Sequence, residues 1–208
     1  MSEHDPHAIT RLEGLDALFG SVAAPSLKKE IDYIHPLYRQ MIEASPFVVV
    51  ATAGPDGLDA SPRGDPAGFV VVEDERTLLL PERRGNNRVD SLRNLVRDPR
   101  IALLFLIPGV GETLRVNGRA RISVAPALLT RFEMHGKPPR CVTVVSVERV
   151  YFQCARAIAR SGLWNPAPAD VKSRVPSPGC ILDALTGGEV DAQRYDAALP
   201  ARQRDTLY

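Results

Sequence analysis

This chain of 208 residues is poor in the features that would assign it quickly. Its three cysteines, Cys141, Cys154 and Cys180, are odd in number and far apart, with no Cys-x-x-Cys pair. That spacing indicates neither a disulfide framework nor a thiolate zinc site, and leaves buried or idle thiols as the expected state. Charge of one sign is missing as well: 26 basic residues against 25 acidic ones give a net charge of +1. Without a global field, nucleic acid and anionic membrane are poor default partners, and any basic site must be local. No apolar run approaches the roughly 20 residues of a membrane helix. The polar start Met1-Ser2-Glu3-His4-Asp5 also lacks the basic and apolar regions of a signal peptide, so a cytoplasmic protein is expected. No Gly-x-Gly-x-x-Gly follows a strand and no Gly-x-Ser-x-Gly elbow occurs, which leaves the dinucleotide fingerprint and the esterase-type nucleophile unsupported. His4 and His7, three apart at the start, read as part of a tail and not as a metal site.

What remains is an ordinary core composition, 44% hydrophobic and 25% charged, sufficient for one large domain with extensions. Ile9, Leu12, Leu15, Leu18 and Phe19 fit a short amphipathic helix. Leu27, Ile31, Ile34, Leu37, Met41 and Ile42 continue that period across 25–44, but Pro36 predicts a break near His35 and therefore two helices. His35, just before a helix-starting proline, reads as a capping or packing residue more than as an acid–base group.

From residue 47 the character changes. Phe47–Ala53, Leu58–Ser61, Gly68–Val72, Thr77–Leu80, Ile101–Ile107, Glu112–Val124 and Cys141–Ala157 are strand candidates, about six or seven in all, with Gly54-Pro55-Asp56-Gly57 as a hairpin turn and Pro62 as the end of its ladder. Only Asn87–Arg97 and Pro126–His135 interrupt them as helices. Many sequential strands with few crossovers favour an antiparallel barrel, mainly β with flanking helices. The chain then divides into N-terminal helices over 1–44, a barrel over 45–164, and a C-terminal helical extension over 165–208. In that extension Asn165–Gly179 is a connector, and Ile181–Leu185 and Val190–Leu199 are helices.

Four stretches can carry chemistry. The basic turn Pro81-Glu82-Arg83-Arg84-Gly85-Asn86-Asn87-Arg88 leads from a strand into a helix and reads as an anion cradle. Guanidinium forks match phosphate, Gly85 permits a bend, and the new helix offers free N–H groups at its positive end. Solvated loop charges with Asn87 as a plain N-cap explain the same residues. Ser61-Pro62-Arg63-Gly64-Asp65 lets a backbone approach a flat ligand while Arg63 reaches a phosphate, or else Arg63 and Asp65 form an exposed ion pair. Thr113, Arg115 and Asn117 project from one strand face, toward a ligand, a dimer seam or solvent. Trp164, the single tryptophan, follows Arg156 and Arg160 and suits either a stacked heteroaromatic ring or an interface anchor. No residue is singled out as a catalytic acid or base.

Taken in order, these motifs resemble the pyridoxamine 5'-phosphate oxidase-like FMN-binding split barrels. Pro81–Arg88, Asp98-Pro99-Arg100, Pro108-Gly109, Glu112–Gly118 and Arg160–Trp164 are similar, more narrowly, to the PPOX-class FMN-dependent enzymes, over about residues 30–208. The resemblance implies a six-stranded Greek-key split barrel and a homodimer with FMN at the subunit interface. By it, Ser61 and Arg63 lie along the flavin and its phosphate, and Leu80 and Pro81 offer backbone contacts. Arg84, Asn87 and Arg88 hold the phosphate. Thr113 and Arg115 approach from the interface strand, serving the partner's flavin, and Trp164 covers the ring or the interface. The implied activity is FMN-dependent oxidoreduction of an unknown small molecule. The alternatives are a flavin-binding carrier, sensor or electron-transfer protein without turnover, or a split barrel using F420 or haem. Asn87-Arg88 stands where the oxidase proper has an Arg-Lys pair, and its substrate-binding Arg-x-His has no match near Arg160–Trp164, so pyridoxamine phosphate oxidation itself is not implied.

Overall fold

A computed structural model describes residue 5, residues 7–55 and residues 57–208. The expectations for residues 1–4 and for Asp56 in the hairpin turn lie outside the described residues.

Helices α1 (Leu12–Phe19), α2 (Ala24–Lys28) and α3 (Pro36–Ala44) come first. The break between α2 and α3 occurs at Pro36, and the His35 Nδ1 accepts the Leu37 N–H at 3.2 Å, a capping role that satisfies one orphan donor of α3. Strands β1 (Phe47–Gly54), β2 (Gly57–Gly64), β3 (Val71–Asp74) and β4 (Thr77–Glu82) follow, then α4 (Asp90–Arg97), β5 (Arg100–Leu106) and β6 (Thr113–Ser123). Helix α5 (Pro126–Arg131), β7 (Cys141–Gln153), α6 (Arg156–Ser161), α7 (Val171–Arg174), α8 (Pro178–Leu185) and α9 (Ala192–Asp205) complete the order.

The strands form one antiparallel sheet in the order β2-β1-β5-β6-β7-β4-β3. It holds seven strands where the family resemblance implied six, because Val71–Asp74 pairs with Thr77–Glu82 as a hairpin of its own. Pro62 does not end its ladder: β2 runs on to Gly64, with Pro62 opposite Val49. As an edge strand β2 has no partner on its other side, so the missing N–H costs no ladder bond. Gly68–Val70 turns instead of pairing, and the last long strand stops at Gln153, four residues before Ala157, so that α6 can begin.

Burial explains the apolar runs. Leu78 and Leu80 enter the main core with Phe105, Leu103, Leu114 and Ile42, whereas Leu79 packs on the opposite face with Phe132, Val142 and Val144. Strand β4 is thus covered on both sides, and its sequence is continuously apolar instead of alternating. Phe105 is fully buried in that core, and truncation to alanine there costs about 3–5 kcal/mol. Ser45 ties α3 to the sheet through its hydroxyl, which donates to the carbonyls of Phe47 and Leu106 at 2.7 and 2.8 Å.

Helix α4 sits against β1, and two residues set its place. Asn94 donates from Nδ2 to Thr52 Oγ1 at 3.1 Å, and a Cβ on Gly54 would come within 2.0 Å of Asn94 Oδ1. Only glycine leaves room for that approach. The helix begins at Asp90, three residues later than the apolar period predicts, because Asn87 (φ 64°) and Val89 (φ 51°) adopt left-handed conformations that no α-helix includes. Among the described residues no helix is long and apolar enough to cross a membrane.

Candidate functional site

The late start of α4 leaves residues 83–89 as a loop, and that loop forms one wall of a cleft of about 830 Å³. The end of β2 supplies the facing wall with Ser61, Arg63 and Gly64, and the end of β4 supplies Pro81 and Glu82. Val89, the N-cap of α4, has no side chain able to cap the helix, so the N–H groups of the first turn stay without a side-chain acceptor while Asp90, Ser91 and Leu92 line the cleft. Such donors at the positive end of a helix suit an anion. Val89 itself is β-branched and left-handed, a strained backbone of the kind that clusters at ligand sites.

Five arginines and four carboxylates line this cleft. Most are already matched. Arg63 donates from Nε to Glu82 Oε2 at 2.7 Å, Arg83 Nε to Asp65 Oδ2 at 2.9 Å, and Arg88 Nε to Asp90 Oδ2 at 2.9 Å. Asp59 accepts from the Ser91 hydroxyl. Arg63 and Asp65, which the sequence allows as an exposed pair, therefore each have a different partner, and both ion pairs are mostly buried. The side chains of Arg84 and Arg140 have no hydrogen-bond or ion-pair partner among the described residues. Their charges are the ones left for a ligand.

Of the residues expected to hold a cofactor, Ser61, Arg63, Pro81, Arg84, Asn87 and Arg88 all border the cleft. Leu80 does not: its side chain is fully buried in the main core. Thr113, Arg115 and Trp164 lie elsewhere on the chain. Thr113 is buried at the start of β6 beside Gln153, Arg115 donates from Nη1 to the Tyr151 hydroxyl at 2.9 Å, and Trp164 donates from Nε1 to the Val110 carbonyl at 2.7 Å.

Sequence reasoning missed Arg140 and Tyr208, and it named Glu82 and Asp65 without their partners. Glu82 is buried, accepts from Thr143 Oγ1 at 3.0 Å as well as from Arg63, and so anchors a cleft arginine. Asp65 and Tyr208 meet at 2.6 Å through the tyrosine hydroxyl, and the Arg83 guanidinium lies 5.6 Å from the Tyr208 ring centroid. Arg140 reaches the cleft because its own N–H donates to the Glu82 carbonyl at 2.9 Å. Glu82, an acid closing an apolar strand, and Asp65, at the end of the Ser61–Asp65 stretch, were legible as residues of the site. Asp65 and Tyr208 are 143 residues apart, and nothing in the sequence signals their pairing.

Two thiols near strand ends differ. Burial, followed by the Glu82 charge, pushes the Cys141 thiol up to about 11, while Cys154 is exposed and held below its ordinary value, chiefly by the Arg156 backbone N–H. Among the described residues no group of His, Cys, Asp and Glu is placed to hold a metal ion.

Solved structures resemble parts of this chain. The chain is similar to HupZ of Group A Streptococcus at 20% identity and a TM-score of 0.48, over 58% of this chain and 94% of that one. A Clostridium acetobutylicum protein related to general stress protein 26 of Bacillus subtilis, of the pyridoxinephosphate oxidase family, is 16% identical with a TM-score of 0.44, over 55% and 84% of the two chains. General Stress Protein 26 of Bacillus anthracis gives 14% and 0.40, over 54% and 88%. No curated protein matches. The family model for pyridoxamine 5'-phosphate oxidase matches residues 34–154, more than half of the sequence and all seven strands, and the chain belongs to that family.

Proposed function

We propose that the cleft binds FMN through its phosphate and that the protein is an FMN-dependent oxidoreductase acting on a small molecule. One observation carries this reading: six of the ten residues expected to hold the cofactor, drawn from β2, β4 and the loop before α4, border a single cleft that ends on an uncapped helix N-terminus. The residues fit the group. Arg84 offers an unmatched guanidinium to a dianion, the first turn of α4 offers backbone donors, and Arg63, fixed by Glu82, presents its remaining N–H groups along the wall. A cavity of about 830 Å³ lies within the ~300–1,000 Å³ range of cofactor sites. When bound, the isoalloxazine supplies the hydride or electron chemistry. The chain's part is to anchor the phosphate, orient the ring and limit solvent.

Thr113, Arg115 and Trp164 enter this proposal through a second copy of the chain. In a homodimer they are available to the partner's cofactor, which accounts for their distance from the cleft of their own subunit. Purified protein should be yellow, or should quench the fluorescence of added FMN. A colourless preparation that leaves FMN fluorescence unchanged overturns the proposal. No histidine lines the cleft among the described residues, which favours, as a second reading, a flavin carrier or electron-transfer protein without turnover. Rapid reduction of the bound flavin by NADH or NADPH, followed by turnover of an acceptor, excludes that reading.

A further inference from the structure

Helices α8 and α9 pack closely on each other: a Cβ on Gly179 would collide with the Ala192 carbonyl, and the Gly179 N–H donates to Asp196 Oδ1 at 2.8 Å. Toward the barrel the pair is loosely held. No residue of α9 is buried, and α8 buries only Gly179. What ties the pair to the barrel is Tyr208, beyond the end of α9. Its hydroxyl donates to Asp65 Oδ1 at 2.6 Å, its main-chain oxygen accepts from the Lys137 ammonium at 2.9 Å, and its ring lies 5.1 Å from that of His135.

These ties cross the seam of the cleft. Asp65 follows β2, and Arg83, whose guanidinium lies 5.6 Å from the Tyr208 ring, follows β4, so one aromatic side chain touches both walls. Leu207 and Tyr208 line the cleft themselves, yet belong to no helix or strand. A segment held by so few contacts opens at low cost. Its opening need not collapse the cleft, because Arg63 still pairs with Glu82, and Arg83 still holds Asp65 and the Phe132 carbonyl.

We infer that residues 206–208 are a strap across the cleft: docked Tyr208 closes one side, and the bound molecule enters and leaves while Tyr208 is undocked. The inference rests on the cleft being the cofactor site. A gate that must open for entry and exit alike scales both rate constants together and leaves Kd unchanged.

Two variants test it, each removing one tie and keeping the ring. Tyr208→Phe loses the Asp65 bond, and Lys137→Ala loses the main-chain tie from a residue that does not itself line the cleft. Stopped-flow quenching of FMN fluorescence should show association and dissociation both faster by about tenfold, the factor for one hydrogen bond to a charged group, with Kd little changed. Losing the Lys137 charge beside an anion site would by steering alone slow association, the opposite sign. Unchanged rates, faster dissociation alone, or slower association overturns the inference. Hydrogen exchange of flavin-free protein should also quicken over residues 200–208 in both variants while β5 and β6 stay protected; exchange that does not change overturns it too. If FMN fails to bind while that exchange still depends on Tyr208 and Lys137, the cofactor assignment falls and the strap stands.

Discussion

Arg63 and Glu82 are joined at 2.7 Å although they belong to the first and sixth strands of the sheet order. No hydrogen-bonded ladder connects β2 to β4. The contact is possible only because the sheet curls until these strands face one another. The same curl places Asp65, just past β2, against Arg83, just past β4. Two ion pairs therefore tie the two walls of the cleft together at this seam.

Arg63→Ala should destabilise the protein by roughly 3 kcal/mol, since Glu82 would stay buried with its charge unpaired. Glu82→Gln should cost less, because an amide oxygen can still accept from Thr143. Chemical denaturation of both variants and the double variant checks this, with a coupling energy of about 0.5–3 kcal/mol expected between the two positions.

Arg88→Ala should weaken FMN binding by about 1.5–3 kcal/mol, the range for a hydrogen bond to a charged group. Fluorescence titration with FMN measures it. Unchanged affinity would assign Arg88 to its Asp90 pair alone.

Cys154 and Cys141 should react in a fixed order. Alkylation followed by peptide mass mapping should label Cys154 well before Cys141, because thiolate is the reacting form, and exposure and the Arg156 N–H favour it at Cys154 while burial and the Glu82 charge oppose it at Cys141. Labelling of Cys141 at the rate of Cys154 in folded protein would contradict the buried Glu82–Cys141 pairing.

The Tyr208 latch should open in alkali. The Asp65 hydrogen bond raises the phenol above its ordinary value of 10.0. A group whose folded value is raised contributes fully below the unfolded value and loses that contribution as pH rises through the folded one. The tail should therefore stay docked at neutral pH and detach above about pH 10, seen as a tyrosinate absorbance step displaced upward from that of free tyrosine. Tyr208→Phe should remove that displaced step.

Much of this fold was legible in the sequence because its signals are local. The β-branched run at Phe47, the continuous apolar stretch before Pro81 and the break at Pro36 each report on their own neighbours, and each element formed within a few residues of its expected bounds. The helix over Asn87–Arg97 was read three residues too early because periodicity does not register the left-handed φ of Asn87 and Val89. Residue type and order also fixed the basic turn at Pro81–Arg88 as an anion-binding candidate. The tertiary structure alone decided which charges remain free to act there. Curling of the sheet consumed Arg63 and Arg83 in pairs with Glu82 and Asp65, and it brought Arg140 and Tyr208 to the same cleft from far along the chain. Charge pairing depends on distance in space, which strand order sets and local sequence does not encode.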